Sequence, residues 1–263
     1  MKKSLINLIK TALPDRADYD RTEWRFWPSE ASFVKPDGTI VGKCLRSSFY
    51  RWKKAPITNP VNDTVKLLGN IGCFVEYATR KELLTKGIYP AEANEKKKRK
   101  FRVNLVDDII LSGEVDIVVG NDIEHCGMEV KSYSNSTSQL LDRPKYPHLL
   151  QTFLYAVYFE PKQPFFIIKY IPSMIYKYAI SNVYHRIDWI EIDNEVYPVI
   201  NGGIDKDIRL SSIIRRYKES KYYIKNSILP KREFTKSTKN CKQCAYKKHC
   251  WLDKGGETIG NCL

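Results

Sequence analysis

The chain has 263 residues, enough for one large domain or two small ones around a real hydrophobic core. No run approaches eighteen apolar residues, so the sequence offers no membrane-spanning helix and reads as cytoplasmic. Against 30 Asp and Glu stand 44 Lys and Arg, a net charge of +14 that favours a polyanionic partner, nucleic acid ahead of an anionic membrane surface.

In chain order, "MKKSLINLIKTALPD" predicts a short amphipathic helix. Its apolar stretch is broken by Asn7 and Lys10, which excludes a signal peptide. Residues 1–43 are loop-rich, punctuated by Pro14, Pro28, Pro36 and Gly38, and read as an N-terminal extension. A single domain is expected over 44–263, its central part at about 62–200. "CLRSSFYRWKK" from Cys44 predicts a short basic helix. A long helix follows, capped at Asn62 or Asp63 and stopped at Gly87. The basic run "EANEKKKRKFRV" reads as a solvated turn or as a DNA-backbone contact. Strands are expected near 101–106, 109–120 and 124–132. A helix, "YPHLLQTFLYAVYF", comes next. "PFFIIKYIPS" with "IYKYAISN" predicts a hairpin, "HRIDWIEID" a further strand, and 207–228 a basic helix. This order predicts an α/β fold with a mixed central sheet flanked by helices.

Two of the strands carry charge among apolar residues. Asp116 sits among Val115, Ile117, Val118 and Val119, and Glu129 and Lys131 flank Val130. Residues i and i+2 of a strand share a face, roughly 6.6 Å apart, so Glu129 and Lys131 point the same way. Glu114 shares a face with Asp116. An acid-x-Lys tripeptide is common and also occurs at Glu95, Glu160 and Glu219. A structural ion pair with Lys131 would leave one buried carboxylate unpaired, which is costly. Two close carboxylates are instead relieved by a hard divalent cation, Mg2+ or Mn2+, which can activate a water and neutralise a phosphodiester under attack.

Asp116 followed by Glu129-Val130-Lys131 resembles the PD-(D/E)xK nuclease signature, and "GEVD" resembles its RecB-type branch. That likeness implies a restriction-endonuclease-like core. It further implies metal ligands at Asp116, Glu129, the Val130 carbonyl and, from "GCFVE", Glu76, with Lys131 acting on the water. "QTFLY" supplies Gln151 and Tyr155, one helical turn apart, which the resemblance assigns to DNA or to the lysine.

Near the C-terminus, Cys241, Cys244 and Cys250 form a C-x2-C-x5-C cluster suited to zinc or an iron–sulfur cluster, with Cys262, His249 and Cys44 as candidates for a fourth ligand. The absence of a signal peptide favours metal over disulfides. Cys73 and Cys126 read as core. "KCLRSSFYRW", with a Cys-x-Arg at Cys44 and Arg46, resembles the subset of RecB-type nucleases that includes the CRISPR-associated exonucleases. There one distant cysteine and three C-terminal ones hold a [4Fe-4S] cluster, here Cys44, Cys241, Cys244 and Cys250, with Zn2+ as the alternative. The resemblance, which covers about 40–262, implies a DNA exonuclease acting on single strands or ends, with Arg46 on the strand and a partner in CRISPR adaptation or recombination. The other class consistent with these residues is a silent DNA-binding or assembly subunit with a nuclease fold.

Overall fold

The computed structural model describes residues 23–60, 63–87, 99–120, 125–133, 143–159, 165–172 and 184–252. The expected N-terminal helix, the capping Asn62, Lys96, Lys97 and Lys98 of the basic run, the second arm of the hairpin and Cys262 lie outside them.

Short strands open the described chain. β1 (Arg25–Phe26) joins β4 (Lys100–Val106) and β5 (Ile109–Glu114) in a three-stranded sheet of order β1-β5-β4. β2 (Ser32–Val34) and β3 (Ile40–Gly42) pair with each other. A larger sheet has the order β11-β10-β9-β8-β7-β6. Its strands are β6 (Ile117–Gly120), β7 (His125–Tyr133), β8 (Phe165–Pro172), β9 (Tyr184–Ile192), β10 (Glu195–Ile200) and β11 (Gly203–Ile204). It is mixed, with β7 and β8 parallel and β6, β9 and β10 entering antiparallel. Asp193 and Asn194 both take positive φ between β9 and β10, as a tight hairpin turn demands. The helices are α1 (Leu45–Trp52), α2 (Asp63–Thr85), α3 (Tyr146–Tyr158), α4 (Leu210–Lys225) and two short ones, α5 (Lys239–Lys242) and α6 (Lys247–Leu252). None of the described helices is long and apolar enough to cross a membrane.

Two differences from the sequence expectation matter. First, the single strand expected over 109–120 is two strands in different sheets. The chain breaks at Val115–Asp116, so Asp116 occupies a corner between sheets rather than the middle of a strand. Second, the described part of the N-terminal extension belongs to the main core. Phe26 and Phe33 are buried there with Leu111, Leu149, Phe153, Ile187 and Ile213. Burying each ring contributes about 1.5–3 kcal/mol, more than an accessory segment would supply.

A smaller cluster of Val75 on α2, Ile117 on β6, and Met128 and Val130 on β7 glues α2 to the corner, with Leu83 and Cys126 packed against it. Cys73, expected in the core, is exposed on α2.

Candidate active site and cysteine centre

The small apolar cluster dictates where the charges go. Val75 and Thr79 face inward, which leaves Glu76 and Arg80, one turn apart, at the rim of the corner. Val130 buries into the cluster, so its neighbours Glu129 and Lys131 emerge together on the other face of β7. The pairing of β7 with β8 slips between Val130 and Ser132, where the single residue Lys131 stands opposite two residues of β8, 169 and 170, so the bulge lies on β8 directly across from Lys131. Bulges re-aim side chains, and they recur beside active sites.

Glu76, Asp116, Glu129 and Lys131 therefore converge, as their mutual electrostatic influence records. Asp116 Oδ2 accepts the Val130 N–H at 2.8 Å. Glu129 Oε1 pairs with Lys131, and Glu76 pairs with Arg80. Glu129 is 1% exposed, and its second oxygen, Oε2, is buried without a hydrogen-bond partner. Burial, with Asp116 and Glu76 nearby, pushes the Glu129 carboxyl up to about 8 against the pull of Lys131. Burial likewise raises Asp116, outweighing Lys131, the Val130 N–H, Arg80 and Arg99. For Lys131 burial acts downward, but Glu129 and Asp116 outweigh it and hold the ammonium above its usual range.

Tyr155 and Gln151 on α3 face this corner from the other side. Tyr155 donates to the Glu114 carbonyl at 3.1 Å and receives a bond from Gln151 Nε2 at 3.0 Å. The Tyr155 ring is buried, so it braces the corner rather than meeting a strand directly. Glu114 turns outward to Arg99, at 3.0 Å.

Sequence reasoning missed three residues. Arg99, inside the basic run, is 5% exposed and donates to the carbonyls of Val115 (2.7 Å) and Asp116 (2.8 Å). Arg80 donates to the same Asp116 carbonyl at 2.8 Å. Its position four residues after Glu76 was the available signal. His148, on the first turn of α3, is pushed down to about 3 by burial, Lys131 and Lys145, so its ring is neutral beside the lysine.

The cysteine centre forms where the C-terminal segment meets α1. Cys44 precedes α1, and Cys241, Cys244 and Cys250 come from α5, the loop after it, and α6. All four line one cavity of about 360 Å3, together with Ser47, Tyr50, Phe234 and Trp251. All four are free thiols. Burial and Glu233 push the Cys44 thiol up to about 12. The segment is also tied down by ordinary hydrogen bonds. The amides of Thr58 and Asn59 both donate to the Ala245 carbonyl, and Asn59 Nδ2 donates to the Cys244 carbonyl at 3.0 Å. His249 packs edge-on against Tyr50 and is not among the cavity-lining residues. Arg46, expected on a DNA strand, is 1% exposed, so it does not reach the surface. Its charge acts instead on Cys250, and its guanidinium bonds Tyr50 at 3.3 Å.

Both centres offer fitting donors. Around the corner stand three carboxylates, one with an unpartnered buried oxygen. Around the cavity stand four soft sulfur donors. Among the described residues, no group of three or more His, Cys, Asp or Glu is already arranged to hold a metal ion. At the corner, Lys131 and Arg80 engage two of the three carboxylates.

No family model and no curated protein matches the chain. Among solved structures, the crystal structure of SSO0001 is similar, with a TM-score of 0.50, 16% sequence identity and 88% of each chain covered. At that identity the likeness is one of fold.

Proposed function

We propose that the chain is a divalent-metal-dependent deoxyribonuclease with a restriction-endonuclease-like core, of the iron–sulfur RecB-like kind. The observation that carries the proposal is the buried, unpartnered Oε2 of Glu129, set beside Asp116, Glu76 and Lys131. A carboxylate oxygen in that position is costly unless a cation or proton meets it.

Glu76, Asp116, Glu129 and the Val130 carbonyl would hold Mg2+ or Mn2+. Such an ion supplies an activated water and neutralises charge on the scissile phosphodiester. The chain's own residues set up the rest. The Val130 N–H orients the Asp116 carboxylate. Lys131, kept protonated by its two anionic neighbours, orients the water and stabilises negative charge developing on phosphorus oxygens. Tyr155 holds the Glu114 carbonyl and so the approach to the corner. In-line hydrolysis breaks the P–O3′ bond and leaves a 5′-phosphate.

Cys44, Cys241, Cys244 and Cys250 would hold a [4Fe-4S] cluster, with Zn2+ as the alternative, in a structural role that staples α1 to the C-terminal segment. The net charge of +14 supports DNA, as single strands or ends, as the partner. The processes this activity suits are CRISPR adaptation, recombination and repair.

The test is cleavage of labelled single-stranded DNA with Mn2+, with end analysis of the product. The expected result is 5′-phosphorylated product from the wild type and none from Asp116→Ala or Lys131→Ala. Tight DNA binding without cleavage under any divalent metal would establish the silent-subunit alternative. Iron and sulfide assays on anaerobically purified protein decide between cluster and zinc.

A further inference from the structure

The corner at Val115–Asp116 is where the chain leaves the three-stranded sheet and enters the larger one. Carbonyls at such a break lose their ladder partners, and a buried carbonyl without a donor is costly. Here two guanidiniums meet them. Arg99 Nη1 donates to both carbonyls, at 2.7 Å (Val115) and 2.8 Å (Asp116), and the Val115 N–H returns a bond to the Arg99 carbonyl at 2.9 Å. Arg80 Nη2 donates to the Asp116 carbonyl at 2.8 Å and also pairs with Glu76. Arg99 Nη2 pairs with Glu114 at 3.0 Å.

We infer that Arg99 and Arg80 are positioning residues, a two-guanidinium clamp that fixes the Asp116 peptide so that its carboxylate meets the Val130 N–H and faces Glu76 and Glu129. The functional side of this inference rests on the nuclease proposal, because it takes Asp116 as a ligand. Its structural side does not. The clamp joins three elements: α2 through Arg80, the start of β4 through Arg99, and β7 through Val130. Charge supports it. With Glu114 paired to Arg99, the three carboxylates of the corner (Glu76, Asp116 and Glu129) face two cations (Arg80 and Lys131), so ionising all three leaves one negative charge for a bound cation to meet. Both arginines pull the Asp116 and Glu76 carboxyls toward ionisation against the effect of burial. Lysine cannot replace Arg99, because one ammonium on a flexible stem lacks the planar fork that reaches two carbonyls and a carboxylate together.

The informative variant is Arg99→Lys, which keeps the charge, with Arg99→Ala as the more disruptive partner. In metal-free protein, hydrogen exchange at the Val130 amide reports the Asp116 carboxylate directly. In Arg99→Lys it should speed up about tenfold while the amides of Leu150 and Phe153 in the main core keep wild-type rates. Affinity for Mn2+, read by calorimetry, should fall by about tenfold or more, as for other residues that orient ligands. Cleavage should lose kcat, with KM for DNA unchanged. Wild-type Val130 exchange and wild-type Mn2+ affinity in Arg99→Lys would overturn the clamp. A wild-type protein that binds no Mn2+ would sink the nuclease proposal instead, and Val130 exchange would still decide the clamp.

Discussion

Glu129→Gln should make the metal-free protein more stable, and by an amount that depends on pH. Glu129 is buried, and its carboxyl rises from an ordinary 4.5 to about 8. A group whose folded pKa is raised contributes stability that is complete below its unfolded value and is lost as pH climbs through the folded one. Wild type therefore weakens between about pH 4.5 and 8 on this account alone. At about 1.4 kcal/mol per pH unit the ceiling of the loss is on the order of 5 kcal/mol. Water entering around the ionised form reduces it, so about 2–3 kcal/mol is expected at pH 9. Glutamine has the same shape, never ionises, and still offers Lys131 an oxygen. Urea unfolding in EDTA at about pH 4.5, 7 and 9 measures the difference. The expected advantage of Glu129→Gln is near zero in acid and grows steadily with pH, while metal-dependent cleavage is lost. A variant less stable than wild type at pH 9, or an offset independent of pH, would refute the reasoning.

Other changes have distinct signatures. In Gly113→Ala the new Cβ would lie 2.6 Å from the Phe101 ring and 2.9 Å from Tyr155. Overpacking of this kind costs about 1–3 kcal/mol in chemical unfolding, and displacing Tyr155 should lower cleavage as well. Glu233→Ala should cost about 1–3 kcal/mol, because it removes one of the two carboxylates paired with the buried Arg216, leaving Glu219 and Ser32, and takes away the acceptor of the Leu45 N–H next to Cys44. Iron content should fall with it. Arg46→Ala should leave DNA affinity at its wild-type value in a gel-shift titration and lower iron retention, since Arg46 faces Cys250 and not solvent.

The residues of the corner were legible in the sequence, but its geometry was not. Glu129-Val130-Lys131 in an apolar strand, with Asp116 before it, gave the charged centre. The order of Glu76, Gln151 and Tyr155 around it placed the helices on either side. The strand break was hidden because apolar runs, Ile109 to Leu111 and Ile117 to Val119, flank the Ser112–Asp116 stretch, and such a pattern looks the same whether the chain stays in one sheet or passes to another. Arg99 was hidden by its company. A cation inside a lysine run reads as solvated, whereas the carbonyls of Val115 and Asp116 and the Glu114 carboxylate account for its burial. Arg46 failed for the opposite reason. In a basic helix it looked like a phosphate contact, yet α1 turns that side inward, beside Tyr50 and the cysteine cavity. The strands at 25–26 and 32–34 are too short, and too close to Pro28 and Pro36, to show a period, so Phe26 and Phe33 passed for loop residues. The cysteines were the most legible feature, because their spacing survives ignorance of the fold. The structure brings the distant Cys44 to the same cavity as the C-terminal three.

The central claim is that the corner of Glu76, Asp116, Glu129 and Lys131 hydrolyses DNA with a divalent metal. Its most direct test is the single-turnover cleavage rate of single-stranded DNA against Mn2+ concentration, for wild type and Asp116→Asn side by side. The account predicts a saturable, metal-dependent rate for wild type and at least a thousandfold loss in Asp116→Asn, on the order of removing a key electrostatic contribution to the transition state. Equal rates in the two proteins, or no metal-dependent cleavage by wild type, would contradict it.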